Sequence, residues 1–309
     1  MNLIRGSTKI RRIENPTIAT VGNFDGLHLG HQQIISYVTE RATSENLESV
    51  LVSFEPTPKE YFMGANAPSR IYSLRDRFVI TKLLGIHHFV CLRFNADLAK
   101  LHASDFVKNI LVDSLNIKNL VIGDDFRFGN DRRGDIKLLQ DMGPELGFVV
   151  EDKSTISHAN TRVSSSLIRA QLASGEFDQA QTLLGRRYAI SGRVFHGDKK
   201  GRTIGFPTAN LLLNRQVPPV RGVFVVSANN GDNTWQGVAN VGHRPTVKGV
   251  RDQLEVHLFD CDENLYGQRL TVTFLARLRD EQKFSSFDEL KHQISLDAQQ
   301  AKQFFLERT

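Results

Sequence analysis

Two histidines three residues apart, His28 and His31, close a glycine-punctuated stretch, Val21-Gly22-Asn23-Phe24-Asp25-Gly26-Leu27-His28-Leu29-Gly30-His31. An apolar run from Ile18 to Val21 leads in, and Ile34, Ile35, Val38 and Ala42 follow at helical spacing, so the stretch joins a strand to a helix start. Glycines at 22, 26 and 30 let backbone approach a bulky anion, toward which the first N–H groups of a helix point. One helical turn brings both rings to one bound group, where each ring offers an N–H to a phosphate that gains charge during reaction. The same spacing also serves as a helix cap or as half of a metal site. No cysteine lies near the pair, and no third ligand accompanies it.

Four further groups carry chemistry. Asp124 and Asp125, between Gly123 and Phe126, can bind Mg2+, receive a ribose or base edge, or solvate a turn. Ser164, Ser165 and Ser166 precede a helical run with Arg169 one turn inside, which makes an anion cradle or an ordinary cap. Thr208 and Asn210 place two oxygen donors at i and i+2, facing one way on extended backbone; Pro207-Thr208 also reads as a stiff turn. Glu255 alternates with Leu254 and Val256, so its carboxylate leaves a strand opposite the apolar face. There it either takes a proton from an attacking hydroxyl or merely meets solvent.

The elements that must hold these groups change character along the chain. Strand-like runs at 50–54, 89–92, 120–123 and 148–150 alternate with helical spacing. Leu74, Phe78, Thr81 and Lys82 give one helix, closing at Leu83 and Leu84, and Ser104 caps another with Phe106, Val107, Ile110 and Leu111 inward. Pro56 and Pro58 stop the second strand and set a loop. Such alternation predicts a parallel sheet covered on both faces, with a ligand at the carboxyl ends of its strands. After Leu184 six short β-like runs follow, at 188–190, 193–195, 223–226, 237–241, 254–258 and 270–274, predicting a small closed barrel. A helix then carries Leu290, Ile294, Ala298 and Ala301 on one stripe, packed on the outside of the barrel. The expected domains are 1–184 and 185–309.

With 309 residues, 40% hydrophobic and 24% charged, the chain suits two soluble globular domains. Two cysteines, Cys91 and Cys261, form no framework and point to the cytoplasm. A net charge of +5 favours anionic partners. No concentrated basic and aromatic motif marks a nucleic-acid surface, and no run approaches a membrane span. A small polyphosphate accounts for the charge as well as RNA does, and a monomer or weak homo-oligomer is expected.

The order Gly22-x-Phe24-Asp25-Gly26-x-His28-x-Gly30-His31, Phe54-Glu55-Pro56-x-Pro58, Leu74-Arg75, Gly123-Asp124-Asp125-Phe126-x-Phe128-Gly129 and Ser164-Ser165-Ser166-x-Ile168-Arg169 resembles the FMN adenylyltransferase domain of bacterial bifunctional FAD synthetases. This implies an α/β nucleotidyltransferase-type (Rossmann-like) sheet. It also implies ATP contacts by Gly22, Phe24, Asp25, Gly26, His28, Gly30, His31, Asp125, Ser165, Ser166 and Arg169. Flavin contacts would come from Asn23, Phe54, Pro56, Phe126 and Phe128. In the second half, Gly205-Phe206-Pro207-Thr208-Ala209-Asn210, Gly237-Val238-Ala239-Asn240-Val241-Gly242-x-Arg244-Pro245-Thr246, Glu255-Val256-His257-Leu258-Phe259-Asp260 and Leu265-Tyr266-Gly267 resemble riboflavin kinase. That resemblance implies Thr208 and Asn210 on Mg2+ and ATP, Glu255 as general base, and Gly197, Lys200, Gly201 and Arg202 along the nucleotide. Gly205, Phe206 and Arg244 would lie at the flavin. Riboflavin, FMN, FAD and ATP are the implied ligands.

Overall fold

The computed structural model describes residues 1–308 except 124–125, 154–156, 159–160, 196–205, 214–216 and 247–248. Contacts divide the chain into two compact units, 1–68 with 74–164, and 69–73 with 165–309.

In the first unit the strands are β1 (Asn2–Gly6), β2 (Thr17–Val21), β3 (Glu48–Glu55), β4 (His88–Arg93), β5 (Ile117–Gly123) and β6 (Val149–Lys153). They form one six-stranded sheet in the order β1-β4-β3-β2-β5-β6, with every pairing parallel. From β2 the chain winds outward through α1 (Leu29–Ser44) to β3 and, after α2 (Pro58–Met63) and α3 (Leu74–Leu83), to β4. It then returns through α4 (Ala96–Lys100) and α5 (Ala103–Asp105), which runs into a π-helical stretch, Phe106–Val112, and places β5 on the other side of β2. After α6 (Ile136–Leu146) comes β6, and a small hairpin of β7 (Ser157–His158) and β8 (Thr161–Arg162) follows. The direction of winding reverses between β2 and β5, so the crevice of the sheet opens at their carboxyl ends.

Alternation along the strands feeds two cores. Val21, Val52, Val90 and Leu120 pack on one face with Phe106 and Ile110. Ile18, Leu51, Phe89 and Val121 pack on the other with Ile35, Val38 and Ala42 of α1. Helix α3 ends at Leu83, as expected, and Arg77 fills its inner face. Two local expectations are corrected. Ser104 lies inside the turn that His102 begins, so it is not the cap. The segment after Pro56 is a helix: Thr57 and Glu60 form a reciprocal capping box, and Pro58 occupies a first-turn position that needs no N–H.

The second unit opens with α7 (Ser165–Ser174) and α8 (Phe177–Leu184). Its barrel comprises β9 (Ala189–Phe195), β10 (Thr208–Leu212), β11 (Gly222–Asn229), β12 (Thr234–Thr246), β13 (Gly249–Leu258) and β14 (Arg269–Arg279). The order β10-β13-β12-β11-β14-β9 closes on itself, and every pairing is antiparallel. Six strands were expected, but two of the segments differ. The runs at 188–190 and 193–195 join in one strand from Ala189, continuous through Ser191-Gly192, and the sixth strand is β10, which is not among the six runs although extended backbone is one of the two readings of Thr208 to Asn210. Gly192 breaks the apolar pattern because a Cβ there would meet the side chain of Leu211 at 3.1 Å. Inside the barrel Phe224 and Phe274 meet Phe177 of α8.

The final helix, α9 (Phe287–Leu306), lays Ala298 and Ala301 against the outer side of β11, β12 and β14. Its anchor is polar. Asp297, 2% exposed, takes a forked pair of bonds from the Arg279 guanidinium, at 2.9 Å from Nε and 2.7 Å from Nη2, and a third from Gln293. Removing one partner strands the other charge at a cost of about 3–5 kcal/mol. Asp297→Ala is therefore expected to lower the urea midpoint of the second unit. An unchanged midpoint would mean that the alanine stripe alone holds α9.

Candidate active sites

The first site lies at the carboxyl end of β2, beside the winding reversal. His28 is the N-cap of α1, and its Nδ1 accepts the His31 backbone N–H at 3.4 Å. With Nδ1 occupied as an acceptor, a neutral His28 carries its proton on Nε2, so that nitrogen is a donor. The two imidazoles stack with centroids 3.7 Å apart and planes 17° apart, and the Phe24 ring meets His31 edge-on at 5.0 Å. Sequence assigned the permissive backbone here to glycine. Instead Phe24 and Leu27 have φ of 48° and 44°, and both are buried in the core beneath α1, which holds the strained turn in place. The glycines make room for rings: a Cβ on Gly22 would meet Phe24 at 3.1 Å, and one on Gly30 would meet the His28 ring at 3.3 Å. The Gly22 N–H itself goes to the Val52 carbonyl. Asp25 is buried.

Arg77 fixes this turn from below, and sequence reading passes over it. At 0% exposure, its guanidinium donates to the Asn23 carbonyl at 2.9 Å, to Ser53 Oγ at 2.8 Å and to the Glu55 carboxylate at 2.8 Å. Ser53 Oγ also donates to Asn23 O. The turn after β2 and the end of β3 are thus tied through one buried cation.

Around that end of β3 the aromatic residues divide. Phe54 and Phe128 are buried, Phe126 stacks on Phe128 at 5.3 Å, and Pro56 is exposed. Tyr61 and Phe62 on α2, both exposed and absent from the expected set, form an aromatic group with the partly buried Phe94, all three rings within 5.7 Å of one another. Their signal in the sequence was the capping pattern Thr57-Pro58-x-Glu60, which sets them on a helix. Of the remaining expected residues, Asp125 lies outside the described residues. Ser165, Ser166 and Arg169 belong to the second unit, where Arg169 donates to the Ser69 carbonyl.

The second site lies on the outward face of the barrel. Register pairs Asn210 with Glu255 and Thr208 with His257 across β10 and β13, and pairs Glu255 with Asn240 on β12. Glu255 therefore stands in a row between two asparagines. His257 donates from Nδ1 to the Pro207 carbonyl at 2.9 Å. Burial among Phe206 and Phe259 holds its pKa below the usual imidazole range; the Pro207 bond opposes that shift and Lys302 adds to it. A cavity of about 400 Å3 borders Thr208 and Asn210 and is lined also by Val194, Val256, Leu258, Leu265 and Tyr266; Glu255 and His257, on the other face of β13, are not part of its lining. Gly197, Lys200, Gly201, Arg202 and Gly205 lie outside the described residues, as does the side chain of Arg244.

A divalent cation fits the donor set. Thr208 and Asn210 offer two neutral oxygens on one face of β10, and Mg2+ takes few protein oxygens, completing its shell with phosphate and water. Among the described residues no group of three His, Cys, Asp or Glu could hold a metal, so a cation here would lean on its nucleotide.

A parallel sheet with a His-x-x-His helix start, together with a closed barrel bearing Thr-x-Asn opposite a glutamate, defines a nucleotide-using transferase of two catalytic units. Residues 10–167 match the FAD synthetase family and residues 184–305 match the riboflavin kinase family. The bifunctional riboflavin kinase/FMN adenylyltransferase of Haemophilus influenzae is 44% identical over 306 residues, covering 99% of each chain. That of Escherichia coli K12 is 44% identical over 307 residues, covering 99% of this chain and 98% of its own. A crystal structure from Streptococcus pneumoniae, described as a macrolide-efflux protein, shares the fold with a TM-score of 0.79 at 30% identity, covering 96% of this chain and 97% of its own. Among the described residues no helix is long and apolar enough to cross a membrane. The chain belongs to the bifunctional riboflavin kinase/FMN adenylyltransferase family, and it is an enzyme with both activities.

Proposed function

We propose that residues 1–184 transfer the adenylyl group and residues 185–309 phosphorylate riboflavin, each through the side chains described above. What most supports the first assignment is the stacked pair His28 and His31 at the start of α1. An oxygen of the FMN phosphate attacks the α-phosphorus of ATP, and the bond to the β-phosphate oxygen breaks, releasing pyrophosphate. His28 Nε2–H, the His31 ring and the positive end of α1 stabilise the charge that collects on the leaving group. Gly22, Phe24, Asp25, Gly26 and Gly30 shape the turn that presents these donors, and Arg77 keeps that turn in register with β3. Asp125, Ser165, Ser166 and Arg169 keep their motif assignment to ATP.

The flavin of FMN rests on the aromatic group at the ends of β3 and β4, where Asn23, Phe54, Pro56, Phe126 and Phe128 are joined by Tyr61, Phe62 and Phe94. An aromatic contact contributes about 0.5–1.5 kcal/mol beyond burial. Phe62, 68% exposed, holds no core together. Phe62→Ala is expected to raise KM for FMN in FAD formation roughly 3- to 10-fold, with kcat and the melting temperature little changed. An unchanged KM would move the flavin elsewhere.

In the barrel Glu255 takes the proton of the riboflavin 5′-hydroxyl as that oxygen attacks the γ-phosphorus of ATP, giving FMN and ADP. Thr208 and Asn210 would hold Mg2+, which would supply positive charge to offset that of the phosphates. The cavity beside them receives the nucleotide; Gly197, Lys200, Gly201 and Arg202 keep their motif assignment to the nucleotide, and Gly205, Phe206 and Arg244 theirs to the flavin. The chain works as a monomer or weak homo-oligomer in the cytoplasm, with no nucleic-acid or membrane partner.

A further inference from the structure

Gln253, Glu255 and His257 alternate along β13 and so share its outward face. Each meets the β10 segment that carries the expected cation ligands. His257 holds the Pro207 carbonyl immediately before Thr208, Glu255 is paired with Asn210, and Gln253 donates from Nε2 to Asn210 Oδ1. Asn210 is buried, and its own Nδ2 donates to the Thr208 carbonyl at 3.4 Å. Both ends of the Asn210 amide are therefore specified, the oxygen by Gln253 and the nitrogen by backbone.

We propose that Gln253 is a positioning residue of the kinase site, holding the Asn210 carboxamide with its oxygen, not its nitrogen, toward the cation. An amide carbonyl has two lone pairs, so one bond from Gln253 leaves one for a metal. The two ends of an asparagine side chain are almost the same in shape. Without Gln253 only the long 3.4 Å bond from Nδ2 to the Thr208 carbonyl orients the amide, which then more readily turns over and presents N–H groups that repel a cation. Partners of this kind around a metal ligand typically change metal affinity 10- to 100-fold.

The inference rests on Asn210 and Thr208 being cation ligands, and the test separates the two claims. Mn2+ replaces Mg2+ and is followed by its paramagnetic resonance on titration with ADP; the binding class that Thr208→Ala removes is the kinase site. Gln253→Met keeps length and removes the donor, and it is expected to weaken that class roughly 10-fold while cation-free binding of ADP is retained. In an Asn210→Asp background, where both carboxylate oxygens can ligate and orientation no longer matters, Gln253→Met is expected to change Mn2+ affinity less than 2-fold. An equal loss in both backgrounds, no loss in either, or loss of cation-free ADP binding would overturn the positioning role. If neither Thr208→Ala nor Asn210→Ala alters Mn2+ affinity, the ligand assignment itself falls.

Discussion

Replacing His28 by alanine is expected to cut conversion of FMN to FAD by roughly 100- to 1000-fold while riboflavin phosphorylation stays at the wild-type rate. The size follows from losing a donor aimed at charge that develops only in the transition state. Alanine also removes a helix cap, a change that costs about 1 kcal/mol by itself. His28→Asn separates the two effects, because asparagine caps a helix well and carries no imidazole. It is expected to restore the stability of α1 and to leave FAD formation lost. Recovery of activity in the asparagine variant would reduce His28 to its capping bond with His31. Equal loss of FMN formation in a folded His28→Ala protein would show that the two reactions do not have separate machinery.

The complementary expectation concerns Glu255. Glu255→Gln keeps the shape of the row between Asn210 and Asn240 and removes the base, so riboflavin phosphorylation is expected to fall roughly 100- to 10,000-fold. Supplied FMN should still become FAD at the normal rate. KM for ATP should stay within a few-fold, because Thr208 and Asn210 are untouched. Normal phosphorylation by the variant, measured by ADP release, would remove Glu255 from the chemistry.

The groupings of candidate residues were legible in the sequence because their members lie close together along the chain: His28 stacks on His31, and Thr208 and Asn210 share one face of β10. What escaped was set by partners far away. Arg77 sits in a helical pattern where a charge reads as solvent-facing, yet its partners Asn23, Ser53 and Glu55 come from two other strand ends. Asp297 likewise interrupts an apolar stripe, and its charge is accounted for by Arg279 on the distant β14. Local signals misled where they had two meanings. Pro58 stops a strand and also begins a helix; Ser191-Gly192 looks like a turn but lies within a barrel strand that needs space for Leu211. The expected helix after β4 did form with Phe106, Val107, Ile110 and Leu111 inward, although in the wider π-helical winding.

Two sites acting in series make a time course with riboflavin, ATP and Mg2+ the most direct test, with the flavins separated chromatographically. FMN is predicted to rise first and FAD to follow it after a lag. In the His28→Ala protein FMN should accumulate without FAD; in the Glu255→Gln protein riboflavin should persist while added FMN is converted. FAD appearing without any FMN intermediate, or riboflavin and added FMN both remaining unchanged in the wild-type protein, would contradict the account.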